Sequence, residues 1–399
     1  MSNNKYNVLD LFAGCGGLSN GFEMTGRFDV VAANEFWDPA ADTYERNHPG
    51  TKMVRGDVTR DEVKGAIYKA FENKVCDVII GGPPCQAYSN AGFRDPEDPR
   101  GRLFQDYVEI VRTLRPRLFV MENVKGLLTI KHERDGLSDE EKAELNRLRE
   151  LEREKQELLL QRKRNKNNPQ VFLFGDDSPE RLIQLTREIE AHKRAFPNLH
   201  EHVTDQILRS FRELGYRAEF KVLNSANFGV PQKRERVIFI GTLEDISAEF
   251  PHPTHTDPSK LIEGTQPWKT VRQAIDELKA MPEKPEWNHT FTQHKPEFVD
   301  KLAKTPVGES ALGFSDAFHK NKPDVPSRTV KENHGGVLVH YENPRVMTPR
   351  ELARLQSFGD DFIFEGTKSQ VLVQIGNAVP PLLGRAVGQA VCQMLDSLT

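Results

Sequence analysis

Four short apolar runs, two of them closing on loops rich in glycine and proline, constrain this chain more than any other feature. Tyr6 to Phe12 ends in Ala-Gly-Cys-Gly-Gly, and Cys76 to Ile80 ends in Gly-Gly-Pro-Pro. Phe28 to Ala33 and Leu118 to Met121 are the other two, with helical stretches near Asp38 to Asn47 and Leu103 to Leu114. Apolar runs of this length joined by helices read as parallel strands buried on both faces. The expected fold class is therefore α/β, a doubly wound, mostly parallel sheet whose ligands sit at the carboxyl ends of the strands.

Further along, the character changes. From about Lys131 to Asn168 both charges are dense; Ser138 and Glu141 spell a capping box, and Leu145, Leu148 and Leu151 give a narrow apolar stripe. A second helix is expected from Ser178-Pro179 to Ala195, making a helical insert over about 131–200. The plain reading of that insert is a solvated outgrowth, although Arg162-Lys163-Arg164-Asn165-Lys166 offers charge for phosphate. Val203, Ile207, Phe211 and Leu214 line one more helix, and strands follow near Ala218 to Leu223 and Val237 to Gly241. From about Leu243 to Asn343 periodicity fades, and seven of the twelve histidines appear. The expected organisation is a cofactor-binding catalytic domain over 1–242, a smaller loop-rich domain over 243–343, and a segment over 344–399 that returns to the first.

Composition excludes some functions. Hydrophobic residues make up 37% and no apolar run approaches a membrane span, so a cytoplasmic protein is expected, nucleoid-associated if bacterial. A net charge of -4 argues against coating nucleic acid through bulk charge, but leaves room for a local basic cleft. The four cysteines form no Cys-x-x-Cys pair, so neither a disulfide framework nor a cysteine zinc site is expected, and His252-x-x-His255 is a weak metal signal.

Several strand ends carry the chemistry. In Asp10 to Gly17, Asp-Leu-Phe-Ala-Gly-Cys-Gly-Gly, Gly14 and Gly16 let the backbone turn and approach a ligand; the spacing is not that of a dinucleotide fingerprint. Glu35 is placed to accept from ribose hydroxyls, Phe36 to pack on an adenine, and Asp57 to accept from its amino group. This acid pattern fits a nucleoside cofactor without a phosphate in the glycine loop. In Gly81 to Ser89, two prolines stiffen the chain just before Cys85, a placement that suits a nucleophilic thiol better than a core cysteine. Glu122, closing the next strand, is expected beside it, and strand alternation places Arg234 and Arg236 on one side of an extended chain, both able to face the same pocket.

Taken in order, Asp-Leu-Phe-Ala-Gly-Cys-Gly-Gly, Asn-Glu-Phe, Gly-Asp-Val, Pro-Pro-Cys-Gln, Glu-Asn-Val and Gln-Lys-Arg-Glu-Arg resemble the motifs of DNA (cytosine-5) methyltransferases. Arg350 to Phe358 and Gly376-Asn377-Ala378-Val379-Pro380 complete the set, so the resemblance runs from Asp10 to Pro380. It implies a Rossmann-like fold of the S-adenosylmethionine-dependent methyltransferases and an enzyme that methylates C5 of a flipped-out cytosine in double-stranded DNA through a covalent Cys85 adduct. Glu122 would hold N3 and the amino group; Arg236 and Arg234 would support the pyrimidine carbonyl and nearby phosphate. Phe12, Glu35, Phe36, Asp57 and Asn377 match the positions that bind S-adenosyl-L-methionine, and no metal is implied. By the same likeness, 243–343 is the target recognition domain, and the enzyme is a monomer paired with a restriction endonuclease of the same site. Phe36 stands where the family often has tryptophan, and the stretch between Glu122 and Gln232 is longer than usual.

Two rival readings remain. An RNA cytosine-5 methyltransferase of the second-cysteine class is disfavoured by Met121-Glu122-Asn123-Val124. The tRNA enzyme that shares this fold is separated by methyl transfer to duplex DNA versus tRNA. A catalytically silent DNA-binding relative is disfavoured because Cys85, Glu122 and the arginines are all present, and trapping on 5-fluorocytosine DNA tests it.

Overall fold

The computed structural model describes residues 5–84, 99–134, 136–165, 179–313, 318–332 and 337–398. Strands and helices alternate from the start: β1 (Tyr6–Leu11), α1 (Gly17–Glu23), β2 (Phe28–Glu35), α2 (Asp38–Asn47), β3 (Lys52–Arg55), α3 (Asp61–Ala70), β4 (Val78–Gly81), α4 (Pro99–Leu114) and β5 (Leu118–Val124). The chain divides into two compact units, one holding residues up to Leu127 and from Leu208 onward, the other Leu128–Ile207.

The smaller unit opens with β6 (Lys131–Glu133), continues through α5 (Asp139–Asn165) and α6 (Pro179–Ala195), and closes with β7 (His200–His202). β6 and β7 pair antiparallel, and Arg134 N donates to Leu199 O at 3.0 Å, so the two ends of the hairpin lie side by side. The capping box forms as the sequence suggests: Glu141 N donates to Ser138 Oγ, and Ser138 N to the Glu141 carboxylate. Leu145 and Leu148 are buried, and Arg181–Glu154 and Lys193–Glu152 ion pairs, each 2.6 Å, tie the helices along their outer faces.

After α7 (Val203–Glu213), which straddles the boundary of the units, come β8 (Arg217–Asn224) and β9 (Glu235–Thr242). Seven strands form the central sheet in the order β3-β2-β1-β4-β5-β9-β8. β1 to β5 run parallel, and β9 is antiparallel to both β5 and β8. The strand order reverses between β1 and β4, the place where a doubly wound sheet opens a crevice at its carboxyl edge.

Alternation along the strands sorts the core. Val8, Val30, Val78, Ile80, Val120 and Ile240 face α1 and the last helix, Pro381–Ser397, while Phe119 meets Phe211 in a stacked pair with centroids 3.8 Å apart. The remaining helices are α8 (Val271–Ile275), α9 (Pro296–Lys304), α10 (Pro349–Leu355), α11 (Lys368–Asn377) and α12 (Pro381–Ser397). α1 and α12 meet backbone to backbone at glycine: a Cβ on Gly21 would lie 2.5 Å from Pro381 O. Residues 243–343 contribute short elements, and their Val271, Ile275, Val330 and Leu338 share one apolar cluster with Leu352, Phe358 and Ile375 of the C-terminal segment. Among the described residues no helix is long and apolar enough to cross a membrane.

Candidate active site

At the end of β1 the backbone turns through left-handed conformations: Phe12 has φ 56°, Gly14 φ 55° and Gly16 φ 92°. The left-handed region is open to glycine, whereas phenylalanine is strained there and must be held by its surroundings. The holding group is Glu35. Its carboxylate, 6% exposed, accepts from Gly14 N at 2.8 Å, Phe36 N at 2.9 Å and Trp37 N at 2.8 Å, linking the end of β2 to the glycine loop. Burial pushes the Glu35 carboxyl upward, and those three N–H groups pull it back. Gly16 serves packing: a Cβ there would stand 2.4 Å from Nε2 of the buried His48, whose Nδ1 lies 2.7 Å from Glu23.

A cavity of about 610 Å³ opens at the crevice between β1 and β4. Phe12, Gly14, Glu35 and Phe36 line one end, and Asn377, at the end of α11, lines it too. Phe36 is 70% exposed, an aromatic face with nothing stacked on it among the described residues. Gly16 and Asp57 do not line this cavity; Asp57 is exposed and accepts from Thr59 N at 3.0 Å, an Asx turn. Trp37, Asp10 and Gln374 do line it, and sequence reasoning passed over them. Trp37 had a signal, a second aromatic residue beside Phe36; Asp10 and Gln374 had none beyond their motifs. Asp10 is fully buried, accepts from Ser19 Oγ at 2.6 Å, and has its carboxyl pushed up to about 7, chiefly by burial and also by the charges of Glu35 and Glu23.

The other end of the cavity is built by β4 and β5. Gly82, Pro83 and Pro84 line it together with Glu122 and Asn123. Asn123 donates to Pro83 O at 3.0 Å, which pins the diproline segment to β5. Gly82 leaves room for the Glu122 carboxylate, since a Cβ there would be 2.9 Å from Glu122 Oε2 and would displace it. Cys85, which follows Pro84, lies outside the described residues.

Arg234 and Arg236 separate in role. Arg236 Nε meets Glu122 Oε1 at 2.6 Å, both side chains largely shielded from solvent. That pair follows from register, since Val124 sits opposite Arg236 across β5 and β9. Arg234, 1% exposed, donates instead to the carbonyls of Val330 and Gly376, each at 2.8 Å. Alternation put both guanidinium groups on one side, but Arg234 precedes β9, where the neighbouring backbone rather than the cavity surrounds it.

With this geometry in hand, the model of the C-5 cytosine-specific DNA methylase family matches residues 6–151 and 193–393. The chain belongs to that family. It is a DNA (cytosine-5) methyltransferase, and the stretch the family model skips lies within the α5–α6 hairpin. It is 32% identical over 407 residues to the Type II methyltransferase M1.HphI of Haemophilus parahaemolyticus, covering 97% of this chain and 86% of that protein. It is 30% identical to the Type II methyltransferase M.NgoFVII of Neisseria gonorrhoeae, covering 95% and 84%. Among solved structures, the S. pombe Dnmt2 methyltransferase superposes with a TM-score of 0.57 at 16% identity over 99% of this chain and all of that one, a likeness of fold.

Proposed function

We propose that this C5-methyltransferase transfers the methyl group of S-adenosyl-L-methionine to C5 of a cytosine flipped out of a specific double-stranded DNA sequence. The observation that carries the reading is that one cavity has two chemically different ends. An aromatic and backbone-rich end, with Phe12, Phe36 and Asn377, suits a nucleoside and its amino-acid tail; the other end presents Glu122 paired to Arg236 beside the diproline segment. The donor set fits the cofactor: an open aromatic face for a purine, glycine backbone for close approach, and, among the described lining residues, no cationic cradle such as a phosphate would need. When bound, it supplies an electrophilic methyl group on sulfur.

The chain's own residues do the rest. The Cys85 thiolate adds to C6 of the pyrimidine, which shifts electrons toward C5. Glu122 holds N3 and the exocyclic amine, and Arg236 fixes Glu122 while facing the ring carbonyl. With C5 made nucleophilic in this way it would accept the methyl group that the cofactor supplies; a base would then remove the C5 proton, and the electrons would return through C5–C6 to expel the Cys85 thiolate. A base within a duplex cannot reach a buried pocket, so it must leave the stack at a cost of a few kcal/mol. Arg234 enters this reading as a positioning residue, and Gly16, Asp57 and Glu35 as builders of the loops around the cofactor.

Residues 243–343 are the segment that reads the target sequence, 1–242 with 344–399 the catalytic body, and 131–200 an insert. The named relatives being Type II methyltransferases, the role that fits is modification beside a cognate restriction endonuclease, by a monomer acting on DNA in the cytoplasm. Bisulfite sequencing of a plasmid from cells expressing the protein tests this: a single methylated motif is expected, and an unmethylated plasmid refutes it. In the same assay Cys85→Ala should abolish methylation while retaining cofactor binding by calorimetry, and the wild type should form a stable adduct on 5-fluorocytosine DNA.

A further inference from the structure

Between the segment that would read DNA and the cavity that would hold the cofactor lies a buried polar joint built on Gln232, Arg234 and Gln356. Gln232 and Gln356 are 0% exposed and Arg234 1%. Gln232 Nε2 donates to Gln356 Oε1 at 2.8 Å and to Leu355 O at 3.1 Å, while its Oε1 accepts from Val330 N at 2.8 Å. Arg234 closes the other side of Val330 by donating to its carbonyl, and with its second amine grips Gly376 O. Gln356 Nε2 donates to Ile375 O at 2.6 Å. Backbone bonds zip the same strands together, Lys233 N to Ser327 O and Ser327 N to Pro231 O, each 2.9 Å.

Two separate stretches, Gln232–Arg234 and Leu355–Gln356, thus meet on the carbonyls of Gly376 and Ile375, just before Asn377, and a third, Val330–Glu332, bonds to the first and packs against Gly376. Packing there leaves no slack, since a Cβ on Gly376 would stand 2.2 Å from Glu332 N and 2.5 Å from the Lys331 carbonyl carbon. Arg234 Nε has no partner among the described residues, but both glutamine side chains and both terminal amines of Arg234 do; buried polar groups paired in this way favour one geometry, and breaking one bond strands its partner. Val330 lies at the exit of the 243–343 segment, so displacement of that exit must move Gly376 or break the joint.

We propose that Gln356, acting through Gln232 and Arg234, is a positioning residue that makes the affinity for cofactor depend on occupation of the 243–343 segment by DNA. The proposal rests on the functional reading above, with Asn377 at the cofactor and 243–343 at the target. Coupling of this kind is reciprocal, because two ligands that bias one joint change each other's affinity by the same factor.

The test measures the affinity of the full chain for S-adenosylhomocysteine with and without a short duplex bearing the motif found by bisulfite sequencing. In the wild type the duplex should tighten binding by about tenfold. In Gln356→Met, which keeps shape but removes donor and acceptor, the ratio should fall to about twofold or less, whereas a merely structural role would lower the melting temperature and leave the ratio intact. A preserved ratio in the folded variant overturns the proposal. If the variant does not fold, hydrogen exchange of the wild type decides: S-adenosylhomocysteine alone should slow exchange across Ser327–Glu332, and unchanged exchange there overturns it. Absence of any S-adenosylhomocysteine binding by the wild type would instead overturn the functional reading from which the proposal starts.

Discussion

Asp10 sits at the end of β1 with its carboxylate shut away from water, and Ser19 Oγ is its hydrogen-bond donor. Burial lifts its pKa to about 7 from an ordinary value near 4. Between those two values the folded protein holds a proton on Asp10 that the unfolded chain does not, so the contribution of Asp10 to stability falls as pH rises from about 4 to about 7 and levels off above. Asp10→Asn should remove that slope and stabilise the protein at pH 8 by on the order of a few kcal/mol, with the gain vanishing near pH 4; melting curves across that range check it. A second prediction concerns the pair at the other end of the cavity. Arg236→Ala leaves Glu122 without its cation, and kcat should drop by about a hundredfold or more, with affinity for S-adenosylhomocysteine much less affected. At this scale the sequence was informative about identity and less so about role. Phe12, Gly14, Glu35, Phe36, Glu122 and Asn377 line one cavity, and Arg236 pairs with Glu122 there; Asp57 and Gly16 serve loops and packing instead. Arg234 looked like its neighbour Arg236 because residue spacing shows which side a residue faces but not what waits there.

Elements are legible where they are long or strongly apolar. Strands β1, β2, β4, β5, β8 and β9 and helices α2, α4, α6 and α7 fall where periodicity places them, within a few residues. β3 escaped notice because Lys52-Met53-Val54-Arg55 is an edge strand with only Val54 buried, too short and too polar for a run to stand out. α11 escaped because its apolar residues serve two neighbours: Val371 and Ile375 pack into the C-terminal cluster while Gln374 donates to Pro39 O and Glu365 O. Glycines that permit helix contact carry no periodic signature either. Gly21 on α1 approaches Pro381 O and Arg385 N of α12 within 2.6 Å of any added Cβ. Gly21→Ala should therefore destabilise the protein by about 1–3 kcal/mol or more, since backbone rather than a flexible side chain must yield; a denaturant midpoint shift with unchanged slope checks it.

On the scale of the whole molecule, the helical hairpin behaves as an addition with its own small core of Leu137, Leu145 and Leu199. The β6–β7 ladder brings its ends together, so removing the hairpin need not separate the flanking chain. A variant joining Arg134 to Leu199 through a short glycine linker should melt within about 5 °C of the parent. It should keep methylation to within about tenfold, as bisulfite conversion would report. A collapse of the central sheet, seen as loss of the cooperative transition, would show that the hairpin is required for folding. Composition anticipated this unit, because dense mixed charge with one narrow leucine stripe cannot build a large core. The joint around Val330 was invisible to such reasoning: it unites glutamines and an arginine from stretches more than a hundred residues apart, and nothing local marks them as partners.

The packing of α1 against α12 also sets a timetable for synthesis. Pro381 follows Gly17 by 364 positions, so at the usual pace of translation, about 5–20 residues per second, α1 waits roughly 20–70 seconds for its cover. Throughout that wait Leu18, Phe22 and Phe28, all buried in the finished protein, have no helix to lie against, which makes the ribosome-bound chain a natural client for a chaperone that shields apolar surface.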